Sequence, residues 1–413
     1  MKIMVPAVSS SPEISGIQRH ALNVLRCLLH CPEISAVDLV IAPWQTGLQS
    51  ANYPADSRLV IHVAQMDPDS FSRNLWYYRG LPRLAARLQP DVVHLSYPVP
   101  LHRAAFRCPA VVTLHDLYPY EIPGNFGFPQ VVFNRLILQQ CLRNADAIAC
   151  VSDNTLDRLQ QYVPPSTWQR AIRIYNCVEP QPVRAIHSPL PGWSGEPFLL
   201  SVAQHRKNKN IPLLIRTFDR LLRSSRIHPS TKLVVVGISG PETRHIQRLL
   251  RQLGLGRNVL LLQGLSDPEL QWCYVRCAAL VIPSRTEGFG LPVAEGLLAG
   301  CRIVCSDIPA FREVGGAHCR FVALGREEQD RLASAICESL QDPPQQPVPL
   351  PHLSANVLAK QYLHLYRTLT PSTLLSHNSE ESASPLAAVA KRQPYQEAKP
   401  SHPESRSDRR GYI

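Results

Sequence analysis

The sequence predicts an α/β protein built from two parallel sheets, each wrapped by helices. Three observations carry this. Short apolar, strand-like runs alternate with helix-like runs along most of the chain, a pattern that builds parallel sheets covered by helices. The alternation breaks once, at the proline-rich stretch Glu179–Glu196, and then resumes. A length of 413 residues accommodates two ordinary domains, and 45% hydrophobic residues can fill both cores.

From residue 2 to about 178 the strand-like runs are Lys2–Ala7, Val37–Ala42, Leu59–Ala64, Val92–Ser96, Ala110–Leu114, Ala147–Val151 and Ile172–Tyr175. Helix-like runs fall at Gly16–Leu29, Ser70–Arg87, Pro129–Arg143 and Asp153–Tyr162. In such sheets ligands bind beyond the carboxyl ends of the strands. Loop Ser9–Gly16 lies at such an end, so Ser15 and Gly16 can face a substrate or phosphate. His115 sits at another, in Thr113-Leu-His115-Asp116, before the irregular stretch Tyr118–Phe128. Ser152 or Asp153 caps the helix that follows Ala147–Val151. The helix Ser70–Arg87 mixes Trp76, Tyr77 and Tyr78 with four arginines. Either it packs with a solvated arginine edge, or it touches the inner face of a membrane.

After the break comes the strand Phe198–Ala203. Then Gln204-His-Arg206-Lys207-Asn-Lys209-Asn210 precedes the amphipathic helix Ile211–Leu222. Cations before a helix N-terminus make a phosphate site, because the first N–H groups of a helix have no partner. Strands follow at Lys232–Gly237, Asn258–Gly264, Leu280–Pro283, Arg302–Ser306 and Arg320–Ala323. A last helix spans Leu353–Tyr366. The remainder, Thr368–Ile413, is rich in Ser, Pro, Glu, Arg and Lys and is expected to be disordered.

The stretch Ser284–Gly300 has the order strand, glycine loop, helix, strand. Gly288 and Gly290 let an anion approach the backbone, and Pro292 is tolerated in the first helical turn. Glu287 enters the loop. Glu295 lies among Leu291, Ala294, Leu297 and Leu298, where a carboxylate needs hydrogen-bond partners. A ribose diol would supply them. A structural turn followed by an ordinary helix fits the same spacing.

The net charge of +11 suits an acidic ligand or an anionic membrane surface, and no basic-aromatic nucleic-acid motif accompanies it. The twelve cysteines form no Cys-x-x-Cys pair and no zinc pattern, which points to reduced thiols in a cytoplasmic protein. The N-terminus lacks a signal-peptide core, and no apolar run reaches membrane-spanning length.

With seven residues between the acids and Gly-Phe-Gly-Leu-Pro after the first, Glu287 and Glu295 resemble the E-x7-E signature of family-4-type (GT4) GT-B glycosyltransferases. Thr113–Asp116 looks like that family's His-Asp element and Lys209-Asn210 like its Lys-Asn element. The family arginine five residues before the lysine falls on Gln204, which leaves Arg206 or Lys207 as the second cation. The family's Gly-Gly pair is Ser15-Gly16 here. The resemblance runs from residue 2 to 367 and leans towards bacterial polysaccharide mannosyltransferases. It implies two doubly wound, Rossmann-like domains facing across a cleft. Residues 1–178 would form the acceptor side, 179–196 a linker, 197–350 the nucleotide-sugar domain, 351–367 a helix crossing back, and 368–413 a tail.

The resemblance also implies a retaining, metal-independent glycosyltransferase. It would take a nucleoside diphosphate sugar, GDP-mannose being suggested, and glycosylate a glycan or polyprenyl-linked acceptor. No cofactor is implied beyond this co-substrate. Lys209, Arg206 and the N–H groups of Gly288, Phe289, Gly290 and Leu291 would hold the diphosphate. Glu295 would take the ribose, Glu287 the donor sugar, and His115 a place beside the reacting carbon. A catalytically silent nucleotide- or glycan-binding protein and a sucrose-type synthase on the same fold are the alternatives.

Overall fold

The computed structural model describes residues 1–9, 16–48, 53–180 and 187–370. The first sheet holds β1 (Lys2–Pro6), β2 (Ala36–Ile41), β3 (Leu59–Val63), β4 (Val92–Leu95), β5 (Ala110–Leu114), β6 (Ala147–Cys150) and β7 (Ala171–Arg173). The second holds β8 (Phe198–Val202), β9 (Lys232–Val236), β10 (Val259–Leu262), β11 (Ala279–Ile282), β12 (Ile303–Ser306) and β13 (Arg320–Val322). Every pairing is parallel; Lys2 lies opposite Ala36 and Phe198 opposite Lys232. The orders are β3-β2-β1-β4-β5-β6-β7 and β10-β9-β8-β11-β12-β13. Both are doubly wound, with the direction of winding reversing between β1 and β4 and between β8 and β11. The crevices at those two switch points are where ligands bind in such sheets.

The strands read as continuous apolar runs because helices cover both faces. Ile3, Val5, Val111 and Ala149 face one core of the first half, and Met4, Val112, Ile148 and Cys150 face the other. Leu199, Val235 and Val281 against Leu200, Val234 and Leu280 repeat that division in the second. All twelve cysteines are free thiols.

The Ser70–Arg87 helix is a correction. It is three pieces: a helix Ser70–Leu75, one wide π turn Trp76–Gly80, and a helix Leu81–Leu88. The extra residue in the turn swings Tyr77 into the core, where its hydroxyl donates to the Val8 carbonyl at 3.2 Å. Gly80 is required there, since a Cβ would come within 2.5 Å of the Trp76 ring.

The last helix, Ala355–Leu369, packs Leu358, Tyr362 and Tyr366 into the core of the first half, against Leu25, Leu28 and Ile3. It starts two residues later and ends three residues later than the reading Leu353–Tyr366, so Thr368 and Leu369, for which disorder is expected, are helical. The chain reaches it through Val178, whose N–H donates to the Leu353 carbonyl at 3.0 Å. The stretch from 371 to 413, for which disorder is expected, lies outside the described residues. No described helix is long and apolar enough to cross a membrane.

Candidate functional site

The glycine loop after β11 lies against the first half of the chain. A Cβ at Gly288 would sit 1.7 Å from the His115 carbonyl oxygen, so only glycine fits. Gly290 adopts φ +111°, in the left-handed region, and turns the chain into the helix Leu291–Leu298. Phe289 is buried beside Tyr175. The Gly288 carbonyl accepts from the Ser152 hydroxyl and from Thr155 Oγ1 at 3.1 Å. Ser152 also caps its own helix, accepting from the Thr155 N–H at 2.9 Å. The segment Ser152–Thr155 therefore holds the glycine loop of the opposite sheet.

Glu287 stands at the centre of a buried polar group. Lys209 Nζ donates to its two oxygens at 2.6 and 2.8 Å. Tyr118 donates to Oε2 at 3.1 Å, and Asn208 Nδ2 donates to the Tyr118 hydroxyl at 3.2 Å. Asn125 Nδ2 donates to Asn208 Oδ1 at 3.1 Å, and the Lys207 N–H donates to Asn125 Oδ1 at 3.1 Å. The irregular stretch after His115 thus reaches across the cleft and bonds to the basic turn after β8.

His115 donates from Nε2 to the Ser96 carbonyl at 2.8 Å, which leaves Nδ1 as an acceptor. Burial pushes its pKa down to about 4, so the ring is neutral near pH 7. The His20 ring meets it edge-on, with centroids 4.5 Å apart. Behind lies a buried chain from Tyr366 through His94, Thr113 and His20 to Asn176. Burial also pushes Asp116 up to about 6, against the Tyr118 N–H and the charge of Arg206. Arg206 Nε is buried and has no hydrogen-bond partner among the described residues.

Glu295 occupies a different place. It lines an open pocket with Arg19, Asp267 and Tyr274. Tyr274 donates to Oε2 at 2.6 Å, and Arg19 pairs with Asp267 at 2.8 Å. Burial raises the Glu295 pKa, opposed by the charge of Arg19 and the Tyr274 hydroxyl.

The structure therefore gathers His115, Arg206, Lys209, Glu287 and Gly288–Leu291 around the two switch points, with Glu295 one helical stretch away. Ser15 lies outside the described residues. Gly16 begins its helix exposed, and a Cβ there would meet nothing within 4 Å. Tyr118, Asn125, Asn208, Arg19 and Tyr274 were not legible as site residues. Their roles depend on contacts between segments 21 to 248 residues apart, for which the spacing of the chain holds no signal. Among the described residues no cluster of His, Cys, Asp or Glu could hold a metal ion.

Residues 14–182 match the profile described as Glycosyltransferase Family 4, and residues 185–349 match Glycosyl transferases group 1. The chain is 27% identical over 231 residues to the O-antigen chain mannosyltransferase RfbU of Salmonella typhimurium, covering 56% of this chain and 61% of that protein. It is 25% identical over 356 residues to O-antigen chain mannosyltransferase B of Escherichia coli, covering 83% and 91%. It is 26% identical over 351 residues to the GDP-mannose:cellobiosyl-diphosphopolyprenol alpha-mannosyltransferase of Xanthomonas oryzae, covering 81% and 86%. The chain thus spans less than two-thirds of RfbU, although it spans most of the other two. Sucrose-phosphate synthase from Thermosynechococcus elongatus shares the fold at TM-score 0.64 and 19% identity, covering 89% of this chain and 94% of that one. Anabaena Alr3699/HepE, solved with UDP and glucose, does so at TM-score 0.59 and 17% identity, covering 90% and 95%. With both halves matched in sequence and both sheets in place, the chain belongs to the family-4 glycosyltransferases of GT-B fold.

Proposed function

We propose that the protein moves a sugar from a nucleoside diphosphate sugar to a glycan or polyprenyl-linked acceptor, with retention of configuration. The single observation that carries this reading is the Lys209–Glu287 pair at the switch points, beside neutral His115 and the buried, unpartnered Arg206 Nε. Without ligand, each charge of that pair holds the other in position. A bound donor would exchange the pair for its own groups, the diphosphate taking Lys209 and the sugar hydroxyls taking Glu287.

Negative charge grows on the diphosphate as its bond to the sugar breaks. Preorganised cations and N–H groups stabilise that charge. Lys209, Arg206 and the Gly288–Leu291 backbone are those groups in this reading. Glu287 faces the sugar ring as it gains positive charge. His115 offers Nδ1 as an acceptor for a sugar hydroxyl. Glu295 takes the ribose diol. The acceptor hydroxyl attacks on the face the diphosphate leaves, and the leaving phosphate oxygen takes its proton. One glycosidic bond forms as one sugar–phosphate bond breaks.

The names of three relatives support mannose as the sugar, and one supports GDP as the carrier. A thermal-shift screen across UDP, GDP and ADP sugars tests this. The matched donor at a hundredfold excess over Kd should stabilise the fold by about 2.7 kcal/mol. Turnover should persist in chelator, because Lys209 and Arg206 do the work of a metal. A donor that binds but is never transferred or hydrolysed would make the protein a silent binding scaffold.

A further inference from the structure

Large apolar side chains are exposed on two neighbouring elements of the first half. On Ser70–Gly80 they are Phe71 at 76%, Leu75 and Tyr78. At the start of Gln130–Asn144 they are Phe128 at 87%, Val132, Phe133 at 57% and Leu136 at 61%. Isolated exposed apolar residues are ordinary, but contiguous ones mark an interaction site. The segment between the two elements ties them together. Tyr78 stacks on His102, with ring centroids 4.7 Å apart. The backbone of neighbouring Leu101 donates to Gln140 Oε1 at 2.9 Å and accepts from Gln140 Nε2 at 2.7 Å. Gln140 stands one turn beyond Leu136 on the same helix face.

The charge on these elements has one sign. Ser70–Leu88, Leu101–Arg107 and Phe128–Asn144 together hold eight arginines and no aspartate or glutamate. Arg103 is paired with Asp146 at 2.6 Å. Arg79, Arg83, Arg87, Arg107 and Arg143 are exposed and make no ion pair among the described residues. Phe71, Leu75, Arg79, Arg83 and Arg87 recur every fourth residue, all exposed, while Tyr77, Leu81 and Ala85 recur on the buried side. Aromatic and aliphatic tips beside unpaired arginines fit the interface of an anionic bilayer, with the exposed Asp69 that caps the first helix, and Asp67 before it, as the acids at its edge.

We propose that Phe71, Leu75 and Tyr78 with Phe128, Val132, Phe133 and Leu136 form a docking face for an anionic lipid surface. It deepens the reading of a polyprenyl-linked acceptor, and its placement agrees with that reading. Phe128 closes the same irregular stretch whose Tyr118 bonds to Glu287, so a bilayer on this face lies beside the site. Arg135 fastens that stretch to the helix, donating to the Pro119 carbonyl at 2.8 Å.

The test is sedimentation of the full chain with vesicles, without donor or acceptor. One set is phosphatidylcholine alone, and the other is about one-third phosphatidylglycerol. Binding should favour the anionic vesicles and weaken as salt rises. F133S with L136S should lower the partition coefficient about tenfold, as should R79E with R83E. V275S, an exposed apolar site on the other half, and a chain ending at Thr370 should bind as the parent does. Circular dichroism and GDP-sugar thermal shift on each variant separate loss of the face from loss of the fold. Equal binding to both vesicle types overturns the proposal. So does binding lost only in the shortened chain, or F133S L136S abolishing self-association without changing vesicle binding. Donor binding is measured separately, so its failure would sink the transferase reading and leave the docking face standing or falling on the vesicles.

Discussion

Glu287 and Glu295 lie eight positions apart, yet the structure gives them opposite electrostatics. Glu287 is nearly buried and directly bonded to a lysine, with Tyr118 as a third support. Glu295 has a tyrosine as its direct partner, while the nearest cation, Arg19, is bound to Asp267. Its pKa is raised by burial. The first acid is thus paired with a lysine beside the reacting end of the proposed donor. The second is held by a neutral hydroxyl, as suits a group that accepts hydrogen bonds from a ribose unchanged by the reaction. Two acids of one short motif need not share one function.

Removing Lys209 should produce the largest effect. Lys209→Ala should lower turnover by about 10² or more, the scale of losing one charge-stabilising donor. It also strands Glu287, which is 9% exposed. Breaking one side of a buried pair costs about 3–5 kcal/mol, and the partial exposure of the lysine puts the loss at the lower end. Adding Glu287→Gln to Lys209→Ala should restore much of that stability and none of the activity. Recovery of both in stopped assays and urea melts would make the pair merely structural.

The next prediction splits the acids kinetically. Glu287→Gln should mainly lower kcat, because it removes charge where charge develops. Glu295→Gln should mainly raise the donor KM, because it weakens ground and transition states alike. Steady-state kinetics with the identified donor decide this. The reverse pattern exchanges the roles, and no change in either variant reduces both acids to fold residues.

How far the sequence carries is visible in the same residues. The thirteen described strands were legible as apolar runs, most of them buried on both faces, although the edge strand β3 exposes Val60 and Val63. Gly288, Gly290 and Lys209 were legible through their places at strand ends and before helices. Pairing between Lys209 and Glu287 was not, since it joins two loops 78 residues apart. Nor was Tyr118, a residue of the first sheet that completes a group in the second. The π turn at Trp76–Gly80 escaped for a local reason: one inserted residue leaves the composition of a helix unchanged.

A pH series sharpens the contrast at lower cost in free energy. Glu295 has a folded pKa above its ordinary value of 4.5. As pH rises past that value the unfolded chain releases its proton while the folded chain retains it. The folded state then binds more protons, and stability falls as pH rises. Glu295→Gln removes this dependence, so the variant should gain on the parent as pH climbs above about 4.5 and match it below. His94 and His115, pushed down to about 3 and about 4, act oppositely. Their contribution is full above about 6.5 and is lost as pH falls towards those values. Both proteins share that loss, so the difference between their urea midpoints isolates Glu295. A difference independent of pH would mean the carboxyl is not perturbed.

The smallest effects belong to the two tyrosines, and their order tests the comparison most finely. Tyr118→Phe removes a 3.1 Å bond from Glu287, which keeps both bonds from Lys209. Asn208 Nδ2 loses its hydroxyl acceptor but retains the Thr286 carbonyl at 3.4 Å. A cost near 1 kcal/mol is expected, typical of one bond among several. Tyr274→Phe removes a 2.6 Å bond from a carboxylate with no directly bonded cation. A bond to a charged group is worth about 1.5–3 kcal/mol, so this variant should lose more at pH 8 than at lower pH. At pH 5 a larger share of Glu295 is protonated, and the gap between the two variants should narrow. Urea midpoints for both at the two pH values are enough. If Tyr118→Phe is the more costly at pH 8, the lysine does not support Glu287 as its geometry implies, and the contrast between the acids fails at its root.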